Sequence, residues 1–80
     1  MPAIFRYAGF RFFFYSNEGD PREPMHVHAM KAGGEAKFWL DAEVSVAASR
    51  GIDARTVFRL RAVVSARREI IEGAWREHFG

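Results

Sequence analysis

The chain has 80 residues, no cysteine and a formal charge of +2, which sets it near the small end of what folds unaided and excludes a disulfide framework and any cysteine-rich zinc site. No apolar run approaches the ~20 residues of a membrane helix. The start, Met-Pro-Ala-Ile-Phe-Arg, lacks a basic stretch followed by a long apolar one, so a soluble, cytoplasmic protein is expected, with no membrane partner and one domain over residues 1–80. Charge is spread evenly: five basic and four acidic side chains up to Leu40, then seven and six. Ten of the twelve cations are arginine, suited to bidentate contact with carboxylate or phosphate. Mild basicity permits nucleic-acid binding without arguing for it.

Ala3 to Arg6 and Phe10 to Ser16 read as two strands joined at Tyr7-Ala8-Gly9. The second places Phe10, Phe12 and Phe14 on one face and Phe13 and Tyr15 on the other, and a strand apolar on both sides belongs inside a sheet. Ser16 to Glu23 is polar and holds Gly and Pro, so it is a loop.

Pro24 to Leu40 is the segment around which the rest is organised. It reads as a β-hairpin, two extended runs flanking Gly33-Gly34, a pair able to take the positive φ of a tight turn. Alternation puts His26 and His28 on one face with Lys37 and Trp39, and Val27, Ala29, Phe38 and Leu40 on the other. A two-residue Gly33-Gly34 turn sets His28 opposite Trp39. A four-residue loop sets His26 there instead and keeps the same faces, whereas a three-residue loop would swap them and put the imidazoles opposite Phe38.

Asp41 is placed to cap a short helix from about Ala42 to Ser49 that stops at Gly51. Asp53 then caps a long helix, roughly Ala54 to His78. At 100° per residue Val57, Leu60, Val63, Val64, Ile70, Ile71, Ala74 and Trp75 share one side of it. Arg67 and His78 interrupt that stripe, and an arginine there either snorkels to water or points at the His strand. The expected fold is α+β: an antiparallel sheet of about four strands in two hairpins, with a short helix and a long C-terminal helix packed on one face. The other face, bearing His26, His28, Lys37 and Trp39, is left exposed or met by a partner.

That face supports three kinds of function. His26 and His28 are candidate metal ligands, with Glu18, Asp20 or His78 as a third, in a set suited to a divalent metal such as zinc. They are also candidate catalytic residues for acid-base work on RNA, with Lys37 or an arginine such as Arg67 holding phosphate and Trp39 stacking on a base. The third use is a polar contact with a partner protein. No cofactor is implied beyond that metal.

Met-Pro-x-Ile at the start, Phe12-x-Phe14-Tyr15-Ser16-Asn17-Glu18, Pro24-x-His26-x-His28, Ala36-Lys37-Phe38-Trp39-Leu40 and Ala74-Trp75-x-x-x-Phe79 together resemble a small bacterial domain-of-unknown-function family, number 4160. The resemblance spans nearly the whole chain. It implies a compact α+β domain, often encoded beside a second small protein in pairs that invite comparison with toxin-antitoxin modules. The chain is therefore expected to be a binding or interaction component of such a pair. A small His- or metal-dependent ribonuclease is the alternative, and self-association stays open. Two departures stand out: Pro24-Met25 where the family commonly has Pro-Pro, and Asp41-Ala42-Glu43 where it usually has a nearby proline.

Overall fold

Two adjacent residues with positive φ, Ala8 at 51° and Gly9 at 82°, close the first hairpin in the manner of a type I′ turn, whose twist matches that of its strands. They join β1 (Phe5–Tyr7) to β2 (Phe10–Phe13), with Tyr7 opposite Phe10 and Phe5 stacked on Phe12. The computed structural model describes residues 3–18 and 23–80. A 3-10 turn, Ser16–Glu18, follows β2. Next come β3 (His26–Lys31), β4 (Gly34–Leu40) and β5 (Val44–Arg50), then α1 (Ala54–Ala66) and α2 (Arg68–Phe79). The strands form one antiparallel sheet in chain order.

Three expectations need correction. The sheet has five strands among the described residues, because Val44–Arg50 is a strand and the expected helix over Ala42 to Ser49 does not form. The pairing of β5 satisfies the second edge of β4 and buries Val44, opposite Leu40, in the core. This tertiary gain outweighs the weak helix signal of the alanines. The ladder carries a bulge, since Lys37 and Phe38 face Ala48 and Val46 and leave Ala47 between them.

The long helix is also broken. Arg67 sits at φ −109°, ψ 24° between α1 and α2, while its N–H still reaches the Val63 carbonyl at 3.0 Å and its own carbonyl accepts from Ile71 at 3.2 Å. The result is a kink, not a reversal. It rephases the apolar stripe: Val57, Leu60, Val64, Ile71 and Trp75 are buried, but Ile70 turns to solvent. The third correction is the hairpin turn, which falls on Ala32-Gly33 with Lys31 opposite Gly34. His26 therefore faces Trp39 and His28 faces Lys37, the register of the longer loop.

The core lies between the sheet and the two helices, where Phe12, Val27, Ala29, Ala36, Phe38 and Leu40 meet the helical stripe. Arg68 fastens α2 to the end of β4, with Nη2 donating to the Leu40 carbonyl at 2.9 Å and Nε to Glu72 at 2.7 Å.

Asp53 caps α1, accepting from the Thr56 backbone N–H at 3.0 Å. The hydrogen bonds from Thr56 hold its carboxyl below the usual 3.8, helped by Arg55 and Arg59. A lowered folded-state pKa means the cap contributes above the unfolded value and is lost as pH falls below 3.8. Asp53→Ala should lower the melting temperature at neutral pH, and Asp53→Asn should keep most of the cap while flattening the acid limb of the stability curve. Equal acid limbs in wild type and Asp53→Asn would show that the carboxylate charge contributes nothing.

Candidate functional site: the outer face of the hairpin

β3 is buried on both sides from His26 to Ala29. The expectation that the imidazole face lies open is therefore corrected at both histidines: His26 is 0% exposed and His28 6%. An aromatic layer covers them. The His28 ring stacks on Phe13 at 5.6 Å and takes the edges of Tyr15 at 4.6 Å and His26 at 5.1 Å. His26 lies between Trp39 at 5.5 Å and Trp75 at 5.2 Å, so the end of α2 packs onto it.

The two imidazoles differ in their partners. His26 Nδ1 lies 2.8 Å from the Pro24 carbonyl oxygen. A carbonyl can only accept, so Nδ1 carries a hydrogen and the ring anchors the entry to β3. His28 Nδ1 lies 3.2 Å from Glu35 Oε2 instead. The same Oε2 accepts from the Tyr15 hydroxyl at 3.1 Å, and Glu35 Oε1 accepts from Arg50 Nη2 at 3.2 Å. Arg50 also donates to the Gly33 carbonyl at 3.2 Å. One carboxylate thus joins β3, β4, β5 and the segment that follows β2.

This network opens on a cleft of 260 Å³ lined by His28, Glu35, Lys37, Ser49 and Arg50. Lys37 Nζ lies 4.3 Å above the Trp39 ring and 3.4 Å from Glu23 Oε1, which roofs the half-buried indole with a cation. Arg50 is 70% exposed at its side chain, so it can turn to an anion without vacating a packed position. The cleft offers guanidinium and ammonium donors around an imidazole that lies beside a carboxylate. Such a set binds anionic or hydrogen-bonding groups and can move protons.

His26, His28, Lys37 and Trp39 are on one face, as alternation implies. Arg67 is elsewhere, its guanidinium 4.7 Å from the Phe5 ring and 5.8 Å from that of Tyr7 at the far edge of the sheet. His78 is exposed beside Phe14 and Phe79. Asp20 and the side chain of Glu18 lie outside the described residues. Among the described residues no three His, Asp or Glu side chains gather as a metal-ligand group. Glu35, Tyr15 and Arg50 are the residues that sequence reasoning missed. Glu35 was within reach, since it stands two residues before Lys37 on the same strand.

A five-stranded antiparallel sheet, helices on one side and a carboxylate-centred aromatic and cationic cleft on the other, defines a small α+β domain with an outer-face site. Among the described residues no helix is long and apolar enough to cross a membrane. The chain belongs to the domain of unknown function family DUF4160, whose model matches residues 9–76. Neither among curated proteins nor among solved structures does it have a match.

Proposed function

We propose that this protein is a binding component that works through the outer face of the β3–β4 hairpin, engaging a second small protein encoded nearby, as in toxin-antitoxin-like pairs. The observation that carries the reading is the exposed Arg50 held on Glu35 at the rim of a cleft, next to a half-buried tryptophan under Lys37. Tryptophan and arginine at the centre of a contact carry a disproportionate share of binding energy. The contact residues are then Trp39, Lys37, Arg50 and Tyr15, with His26 serving the fold. Co-expression with the neighbouring gene product should give a complex that co-purifies, and Trp39→Ala should weaken it about thirtyfold, with Arg50→Ala following. A monomer that passes its neighbour untouched would remove the proposal.

A second reading is favoured by the carboxylate beside His28. In a ribonuclease the 2′-hydroxyl loses a proton and its oxygen attacks phosphorus, while the leaving 5′ oxygen gains one. The His28–Glu35 pair would move those protons, with Arg50 and Lys37 on the phosphate. Expression should then arrest growth, and His28→Ala should relieve the arrest at unchanged protein level. Intact RNA after incubation with purified protein, with and without divalent metal, would retire this reading.

A further inference from the structure

The outer-face cleft sets one carboxylate between a buried base and an exposed cation. The side chain of Glu35 is 17% exposed, between that of His28 at 7% and that of Arg50 at 70%. Its Oε2 lies 3.2 Å from His28 Nδ1 and accepts from the Tyr15 hydroxyl, while its Oε1 accepts from Arg50 Nη2. The other hold on Arg50 is a hydrogen bond from Nη1 to the Gly33 carbonyl. Arg50 is therefore kept at the rim by a carboxylate whose second oxygen touches a titratable ring.

Histidine is the side chain that ordinarily changes charge between about pH 5 and 8. Among the described residues, the charged and titratable groups around the His28 ring are Glu35 and Lys37 on β4, Arg50 on β5, Tyr15 after β2 and His26 on β3. Glu23 stands behind Lys37, and Arg11 lies over the Phe13 ring that stacks on His28. A proton added to His28 creates a cation shut off from water, which must be paired, and the carboxylate 3.2 Å away can pair it. Attraction inside the fold is screened less than attraction at the rim. The imidazolium thus draws the larger share of the Glu35 charge and repels the guanidinium, and an arginine this exposed gives up little packing when it leaves.

We propose that His28 is a proton-operated latch on Arg50. With the ring neutral, Glu35 holds the guanidinium at the rim; with the ring protonated, Glu35 turns to the imidazolium and the guanidinium swings free. Acidification then adds a positive charge to the cleft and releases a second donor beside it, so the cleft receives carboxylate or phosphate groups better as pH falls. The inference rests on the reading of this face as a contact surface and supplies the regulation of that contact.

The test is nuclear magnetic resonance on the full chain alone, titrated from about pH 8 to about pH 5.5, above the range where ordinary carboxylates protonate. The ring protons of His26, His28 and His78 and the Nε–H groups of Arg50 and Arg68 are followed in one sample. The Arg50 signal should move with the His28 midpoint, and its order parameter should fall below about 0.6 at the acid end. Arg68, whose Nε donates to Glu72 away from the cleft, should stay still. In His28→Gln the Arg50 signal should no longer respond to pH, and in Glu35→Gln it should be mobile at both ends. Should His28→Gln fail to fold by circular dichroism, the wild-type comparison and Glu35→Gln still decide. The proposal falls if His28 takes up no proton over this range, if Arg50 stays fixed while His28 titrates, or if Arg50 follows His26 or His78 instead. It falls too if Arg50 still responds in a folded His28→Gln. No partner is in the sample, so failure here leaves the contact surface standing, and a neighbour that does not bind leaves the latch standing.

Discussion

Gly34→Ala should destabilise the protein by about 3 kcal/mol, while the neighbouring Gly33→Ala should cost little. A Cβ on Gly34 would meet the Gly51 carbonyl oxygen and the Ile52 Cγ1, each at 2.7 Å, and the first of these is backbone that cannot swing aside. At Gly33 nothing lies within 4 Å. The approach is reciprocal, since Gly51 has φ +68° and a Cβ there would lie 2.9 Å from the Gly33 carbonyl oxygen. The turn of the β3–β4 hairpin and the exit from β5 are therefore in backbone contact. That contact brings Arg50 to the Gly33 carbonyl and to Glu35. The substitution should consequently loosen the cleft as well as lower stability. Urea denaturation of the pair decides the matter: midpoints for Gly33→Ala and Gly34→Ala that agree within about 0.5 kcal/mol would overturn the packing argument.

The same two glycines show how far the sequence could be read. Gly33-Gly34 correctly marks a hairpin, because only a turn explains such a pair between alternating runs. Its position within the turn depends on Gly51, seventeen residues away, which needs a partner without a Cβ. Local turn chemistry holds no trace of that need, so the register shifted by one pair while the faces stayed in place. Gly51 itself was legible as a residue in left-handed conformation. What it terminates was not, because a strand and a helix both use such a residue to stop.

β5 failed for a similar reason. Val44-Ser45-Val46-Ala47-Ala48-Ser49 has neither clean alternation nor a strong helical stripe, and the pairing edge of β4 decides between them. Losing β5 also hid Arg50, and with it half of the Glu35 network. The aromatic faces of β2 and the imidazole face of β3 were readable because period-two alternation is independent of what packs on either side. Burial of that face was not readable. It comes from α2, whose kink at Arg67 has no proline or glycine to announce it, and from rings contributed by four separate elements.

Trp75→Ala should cost about 4 kcal/mol, a large fraction of the roughly 4–12 kcal/mol expected for a domain of this length. Trp75 is buried at the crossing of both layers, 5.2 Å from Phe14 and 4.3 Å from Phe79 on the core side and 5.2 Å from the His26 ring. Truncation leaves a cavity that backbone relaxation cannot close, because the end of β3 is pinned by the Leu40 N–H to the Met25 carbonyl at 3.0 Å. Trp75→Phe keeps part of the contact and should stay folded at lower stability, which makes it the informative variant. In its nuclear magnetic resonance spectrum the His26 ring protons should move strongly as the indole ring current is lost. Those of His28 should move little, since its neighbours are Phe13, Tyr15 and Glu35. That contrast would separate the anchoring imidazole from the one at the cleft. Equal displacement of both would mean that the two rings respond as one packed unit, and mutating either could then not isolate the site from the fold.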